Sequence, residues 1–274
     1  MTSLVFFGSF QHYSATTLKI IHQSGQFNIL GAITLPGNPV ETYCLQKHLP
    51  CYTANFDTIP NIPQPDFVLV CGFGKLINEK WLNFPQVMPI NIHQSLLPNY
   101  AGRFPVEWAI LNGETTAGLT FIKMNEKFDK GDIIQQYSVP LDDTSTREAI
   151  YQKLYELAGA KTVELLPLIV TGNYQLSPQT NSGFYARQIT REDGYIEATT
   201  LLDTNNFQKL DRMLRALSPW PGVWTHIYSK DRKKLIMKLF SADNKKGIIE
   251  LQKVQIEGKK PTFWSEISQY YSLK

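Results

Sequence analysis

Met88-Pro-Ile-Asn-Ile-His93 decides the fold class, together with Phe67-Val-Leu-Val-Cys71 just upstream of it. Each is a short apolar run with few polar interruptions. A strand buried on both faces reads this way, because helices cover a parallel sheet above and below. Working outward, Ser3–Phe7 and Phe27–Thr34 are runs of the same kind, and between them Thr17–Gln23 has helical spacing and stops at Gly25. Val40–Lys47 and Val106–Asn112 read as helices, Gly118–Met124 and Asp132–Tyr137 as strands, and Ser145–Val170 as a long amphipathic helix. Strands alternating with helices predict an α/β fold with a Rossmann-like open, mainly parallel sheet.

The character changes near residue 172. Gly172–Gly183 is rich in Asn, Gln, Ser, Thr and Pro with little periodicity, the composition of a linker. The expected division is a catalytic domain at 1–178, a linker at 179–187 and a C-terminal domain at 188–274. Past the linker come a helix near Asn206–Ala216 and short alternating runs, Val223–Tyr228, Leu235–Phe240 and Gly247–Val254. Asp, Asn, Lys and Gly turns join them, as in a small antiparallel sheet or OB-like β-barrel. No internal repeat is visible.

Charge divides at the same place. Residues 1–180 carry 11 Lys and Arg against 14 Asp and Glu, whereas residues 181–274 carry 16 against 10. A dense patch of Lys230, Arg232, Lys233, Lys234 and Lys238 is followed by Lys245, Lys246, Lys253, Lys259 and Lys260. Such a surplus attracts polyanions, nucleic acid above all, although a solvated face of unpaired lysines reads the same way. At 274 residues and 43% hydrophobic, the chain is too apolar for wholesale disorder. No apolar stretch approaches the roughly 20 residues of a membrane helix. Met1–Gly8 lacks the basic region and cleavage site of a signal peptide, so a cytoplasmic protein is expected; a monomer is the expected state, although no feature of the sequence fixes it. Cys44, Cys51 and Cys71 are odd in number and without C-x-x-C spacing, which supports neither a disulfide framework nor a metal site.

The chemistry concentrates at the end of the Met88–His93 strand. Alternation puts Asn91 and His93 on one face, at the carboxyl end where open α/β sheets place ligands. An asparagine amide donates hydrogen bonds, and histidine exchanges protons near neutrality at little cost. Together they can hold the oxygen of a carbonyl turning into an oxyanion, where losing one donor costs about 10²–10³ in rate. Phe128-Asp129-Lys-Gly131-Asp132 supplies carboxylates in a Gly-containing loop, and Asp129 is placed to orient an imidazole. A packing histidine and a turn-forming aspartate are the plainer readings of each residue taken alone.

As a set, Asn91-Ile-His93, Ser95-Leu-Leu-Pro98, Gly102 and Asp129-Lys-Gly131 resemble the folate-dependent formyltransferase family. The resemblance implies a catalytic trio of Asn91, His93 and Asp129. It implies a binding region of Ser95, Leu96, Leu97 and Pro98, with Gly72, Phe73 and Gly74, for the co-substrate 10-formyltetrahydrofolate. Formyl transfer to a primary amine, without a metal or a covalent enzyme intermediate, is the implied reaction. Further on, Ile189–Glu197, Arg215–Gly222, Gly247–Leu251 and Gly258–Pro261 are similar to the C-terminal domain of the branch that formylates methionyl-tRNA. That branch implies initiator methionyl-tRNA as partner, held by the basic domain, a role in translation initiation, and neither DNA nor membrane. The sequence departs from it in three places. No Lys or Arg occurs between Lys19 and Lys47, where the branch has a basic loop; Ala101 stands where Arg is usual; and Ala198 stands where Trp is usual. An amino sugar on a dTDP or UDP carrier is the alternative acceptor, and Arg103-Phe-Pro-Val-Glu-Trp108 resembles the corresponding turn of sugar enzymes. A non-catalytic binding module is disfavoured by the intact trio, and the glycinamide ribonucleotide branch by the second domain.

Overall fold

The apolar runs assemble as strands of one mixed sheet in the computed structural model, which describes residues 1–53, 58–180, 183–245 and 248–273. Strands β1 (Thr2–Phe7), β2 (Phe27–Thr34), β3 (Cys51–Thr53), β4 (Phe67–Cys71) and β5 (Met88–His93) pair in parallel. Between them lie α1 (Gln11–Gln23), α2 (Pro39–Lys47) and the short α3 (Glu79–Leu82). After a two-residue strand, β6 (Ala101–Gly102), and helix α4 (Pro105–Asn112), strand β7 (Thr116–Lys123) joins antiparallel to β5 and β8 (Asp132–Pro140) antiparallel to β7. The sheet order is β3-β2-β1-β4-β5-β7-β8. Helix α5 (Arg147–Val170) and the two-residue β9 (Tyr185–Ala186) complete this part.

Burial explains the runs. Leu4–Phe7 and all of Phe67–Cys71 are buried, as strands covered on both faces must be. Each such Leu, Val or Phe contributes about 1.5–3 kcal/mol relative to exposure. Trp81 of α3 packs edge-on against Phe7, ring centroids 4.9 Å apart. Helix α2 starts at Pro39, one residue before the expected Val40, because the Asn38 side chain caps it by accepting from Val40 N at 3.0 Å.

Two compact units divide the chain. The first is Met1–Pro105, Thr116–Pro140 and Glu148–Arg187; the second is Val106–Thr115, Leu141–Arg147 and Gln188–Lys274. Most of α4 and the turn before α5 therefore group with the second unit, although sequence order places them inside residues 1–178. Long-range contacts draw them there: Arg147 Nη1 lies 3.4 Å from Glu107 Oε1 and donates to Trp220 O at 3.2 Å, and Arg215 Nη1 donates to Ser145 O at 2.9 Å. Asn181 and Ser182 of the expected linker lie outside the described residues, and the positions flanking them are hydrogen-bonded into the first unit.

The second unit holds α6 (Phe207–Leu217), whose Leu210, Met213, Ala216 and Leu217 form a buried stripe. Strands β10 (Val223–Ser229) and β11 (Lys234–Leu239) follow, then the β12 (Ala242–Lys245) and β13 (Ile248–Leu251) hairpin and β14 (Lys253–Ile256). The chain ends with β15 (Thr262–Phe263), α7 (Trp264–Ile267) and β16 (Tyr271–Ser272). An antiparallel sheet, β15-β14-β11-β10-β16, curls into a half-barrel. Its alternation is regular: Val223, Thr225 and Ile227 are buried, and Trp224, His226 and Tyr228 point the other way. Lys246 and Gly247, part of the basic region and of the Gly247–Val254 run, lie outside the described residues. Among the described residues no helix is long and apolar enough to cross a membrane.

Candidate active site

Strand β5 sits between β4 and β7, with Asn91 opposite Val70 and Ile122 and His93 opposite Thr120. Ile90 and Ile92 fix it by burial on one face, which leaves Asn91 and His93 on the other. Both border a cavity of about 530 Å³. Asp129 borders it too, from the turn between β7 and β8. The trio expected from the sequence is thus brought together on one wall.

Its hydrogen bonds fix the protons. His93 Nε2 lies 2.9 Å from Tyr100 O. A carbonyl oxygen only accepts, so Nε2 carries a proton and Nδ1 is the exchangeable site. That Nδ1 faces Asp129 Oδ1 at 3.4 Å, and the two side chains are only 7% and 10% exposed. Asn91 Nδ2 reaches the same Oδ1 at 3.5 Å, and Gly102 N donates to Asp129 Oδ2 at 3.0 Å. The carboxylate is therefore a hub that touches both other members. Such a buried charge is tolerated because its oxygens are partnered.

The turn carrying Asp129 is constrained. Asp129 has φ +54, a left-handed conformation costing about 1–2 kcal/mol that a short polar side chain adopts more readily than most. Two residues on, a Cβ at Gly131 would run into the Lys123 carbonyl, so only glycine fits. Across the cavity, Gly72 has φ +70, and a Cβ there would meet the Tyr155 hydroxyl. Ser14 Oγ donates to Cys71 O at 2.8 Å and accepts from Phe10 N at 3.0 Å, tying this turn to the start of α1.

Gly72, Phe73 and Gly74, the residues expected to bind the folate, line the cavity. Ser95, Leu96, Leu97 and Pro98 do not line it; their turn folds onto its own backbone and onto β7. Ser95 Oγ donates to Asn99 O at 2.6 Å, Thr120 Oγ1 to Ser95 O at 2.6 Å, and Leu97 N to Thr120 Oγ1 at 3.1 Å. Sequence reading missed the aromatic wall of Phe10, Tyr151 and Tyr155, with ring centroids 5.1 Å and 5.9 Å from Phe10 to the two tyrosines. Its signal was Tyr151 and Tyr155 at i, i+4, one face of a helix. Cys71 is buried, and burial pushes its thiol up to about 12. It stays protonated at neutral pH, a packing residue and not a nucleophile.

Residues 39–166 match the formyl transferase family. A curated methionyl-tRNA formyltransferase from Methylacidiphilum infernorum is 28% identical, covering 95% of this chain and 92% of its own. Another, from Bacteroides fragilis, is 28% identical over 80% of this chain and 72% of its own. Among solved structures, a 4-N formyltransferase from Francisella tularensis has a TM-score of 0.68 at 18% identity, covering 87% of this chain and 97% of that one. WlaRD, a sugar 3N-formyltransferase solved with dTDP and 5-N-formyl-THF, has a TM-score of 0.67 at 19% identity over 95% of this chain and 99% of its own. At such identities the structures establish the fold.

Proposed function

We propose, from a formyl transferase domain at residues 39–166 and a likeness to methionyl-tRNA formyltransferases that runs through both units, that this chain formylates the amino group of methionyl-tRNA. The formyl donor is 10-formyltetrahydrofolate, and the setting is translation initiation by a cytoplasmic monomer. The observation that carries the chemistry is the convergence of Asn91, His93 and Asp129 on one cavity wall.

The cavity suits the donor. Its volume of about 530 Å³ falls in the roughly 300–1,000 Å³ range of cofactor sites, and aromatic and aliphatic side chains line it beside a few polar groups. Gly72, Phe73 and Gly74 contact the donor, while Ser95, Leu96, Leu97 and Pro98 hold the strand tip beside it. The folate supplies a one-carbon unit on N10. A bond forms between the acceptor nitrogen and the formyl carbon, the bond from that carbon to N10 breaks, and the proton lost by the amine ends on N10. Asn91 Nδ2 donates to the formyl oxygen as negative charge develops there. His93, its Nε2 fixed on Tyr100 O and its Nδ1 facing Asp129, strengthens the same field in its protonated form. Asp129 holds the ring and takes the amine proton as the new bond forms.

A polyanionic acceptor fits the second unit. On the outward face of its sheet, Trp224 pairs with Lys238 and Tyr228 with Lys234 across β10 and β11. Cations meet phosphates and rings stack on bases in this pattern. The alternative acceptor, a dTDP- or UDP-linked amino sugar, is favoured by one observation: the stretch around β2 and α2 has no Lys or Arg between Lys19 and Lys47.

A panel of acceptors tests the reading, with the folate donor fixed. The purified protein is expected to formylate methionyl-tRNA about 10²-fold or more faster than its His93→Ala variant. If it formylates a dTDP-amino sugar readily and methionyl-tRNA no faster than that variant, the sugar reading replaces this one.

A further inference from the structure

We infer that Gln179 is a positioning residue for formyl transfer, acting through Asp129, and that residues 177–180 and 183–186 together form the strap holding the His93–Asp129 pair in register. This rests on the reading of that pair given above.

The strap begins where the chain returns from α5. Ser177 and Ile133 exchange backbone hydrogen bonds of 2.8 and 2.9 Å, which pins it to β8. Two residues later, Gln179 Nε2 donates to Asp129 O at 2.9 Å and to Gly131 O at 2.8 Å. One amide nitrogen thus spends both of its hydrogens on the two carbonyls that bracket the left-handed turn. Its partner atom Oε1 is buried and has no hydrogen bond among the described residues. The amide orientation is still unambiguous, because flipping it would press an oxygen against two carbonyl oxygens. The side chain therefore serves as a two-pronged donor.

Further along, Phe184 and Ala186 fix the other supports of the pair. Tyr100 N donates to Phe184 O at 2.6 Å, and Arg103 N to Ala186 O at 2.9 Å. Between them, β9 lies parallel to β6, Ala101 opposite Tyr185 and Gly102 opposite Ala186. Tyr100 O is the acceptor for His93 Nε2, and Gly102 N is the donor to Asp129 Oδ2. So the two described parts of the strap secure the peptide groups that hold the imidazole, those that hold the carboxylate, and the backbone of Asp129 itself. A second tie on the turn, Asn125 Nδ2 to Lys130 O at 3.0 Å, grips the carbonyl between the two that Gln179 holds. It keeps the turn formed when Gln179 is replaced but does not reach Asp129 O.

Gln179→Glu keeps the length of the side chain and removes both donors; Gln179→Met does so without adding charge. Steady-state kinetics on the full chain, with whichever acceptor the wild type formylates, should show kcat down about 10-fold or more in both variants and KM for the folate donor within about twofold. In an Asp129→Asn background, Gln179→Met should cost nothing further. The ¹⁵N shift of His93 Nδ1 should move in the Gln179 variants while the melting temperature holds. That measurement needs no acceptor, so it separates a failure of this proposal from a failure of the acceptor assignment. An unchanged kcat and Nδ1 shift, or a full additional loss in the Asp129→Asn background, would overturn it.

Discussion

The two units treat their polar groups in opposite ways. In the first, an imidazole and a carboxylate are 7% and 10% exposed and find their partners inside the unit, on Tyr100, Gly102 and each other. In the second, the lysines of the outward sheet face stay in water: Lys234 and Lys238 are exposed beside Tyr228 and the half-buried Trp224. Chemistry needs dipoles fixed before the substrate arrives, because reorienting them during the reaction raises the barrier. Recognition of a polyanion works with long, hydrated side chains, whose charges steer the partner and are screened by salt. On the proposed reading, rate belongs to the first unit and acceptor affinity to the second.

The sharpest way to break that assignment is to replace the fixed groups. Asn91→Ala and His93→Ala should each lower kcat by about 10²–10⁴ and leave tRNA affinity within about twofold. Stopped formylation at saturating substrate measures the first, and filter binding the second. A variant that loses affinity and keeps kcat would reverse the roles of the units. The complementary change is Lys234→Glu with Lys238→Glu. Binding of methionyl-tRNA should weaken about tenfold, and the slope of log affinity against log salt should shrink by about one for each phosphate that is no longer neutralised. If the slope stays as in the wild type, the outward face does not touch the phosphates.

This division was only half legible in the sequence. Asn91 and His93 were readable because a strand's alternation and its apolar neighbours are local properties. Asp129 was readable through the motif that carries it. The supports of the trio were not. Tyr100 contributes a carbonyl and Gly102 an amide, groups that every residue but proline offers, so side-chain identity says nothing of them. Gln179 lies 50 positions from Asp129 in a stretch whose Asn, Gln, Ser and Pro content reads as loose chain. Composition cannot report that its backbone partners are Ile133, Tyr100 and Arg103. Placing Val106–Thr115 and Leu141–Arg147 with the second unit was hidden for the same reason, since Arg147–Glu107 and Arg215–Ser145 join residues far apart in the chain.

The smallest expected effect sharpens the comparison through pH. Asp142, in the turn that belongs to the second unit, is an exposed counterpart of Asp129. Its Oδ1 accepts from the Thr144 hydroxyl at 2.7 Å, the Ser145 hydroxyl at 2.9 Å and Thr144 N at 2.9 Å. Those bonds, the Thr144 hydroxyl foremost, hold its carboxyl down at about 2, below the ordinary 3.8. A carboxyl lowered on folding adds stability that is present above its ordinary value and disappears as pH falls through the lowered one. Asp142→Asn keeps an oxygen acceptor in place and removes the charge. The melting temperature of the wild type should exceed that of the variant by a small margin at pH of about 5 and above, and the margin should close as pH approaches about 2. Thermal denaturation across that interval measures it. A margin that does not change with pH would mean that the geometry of the turn, and not its charge, keeps Leu141–Arg147 in place.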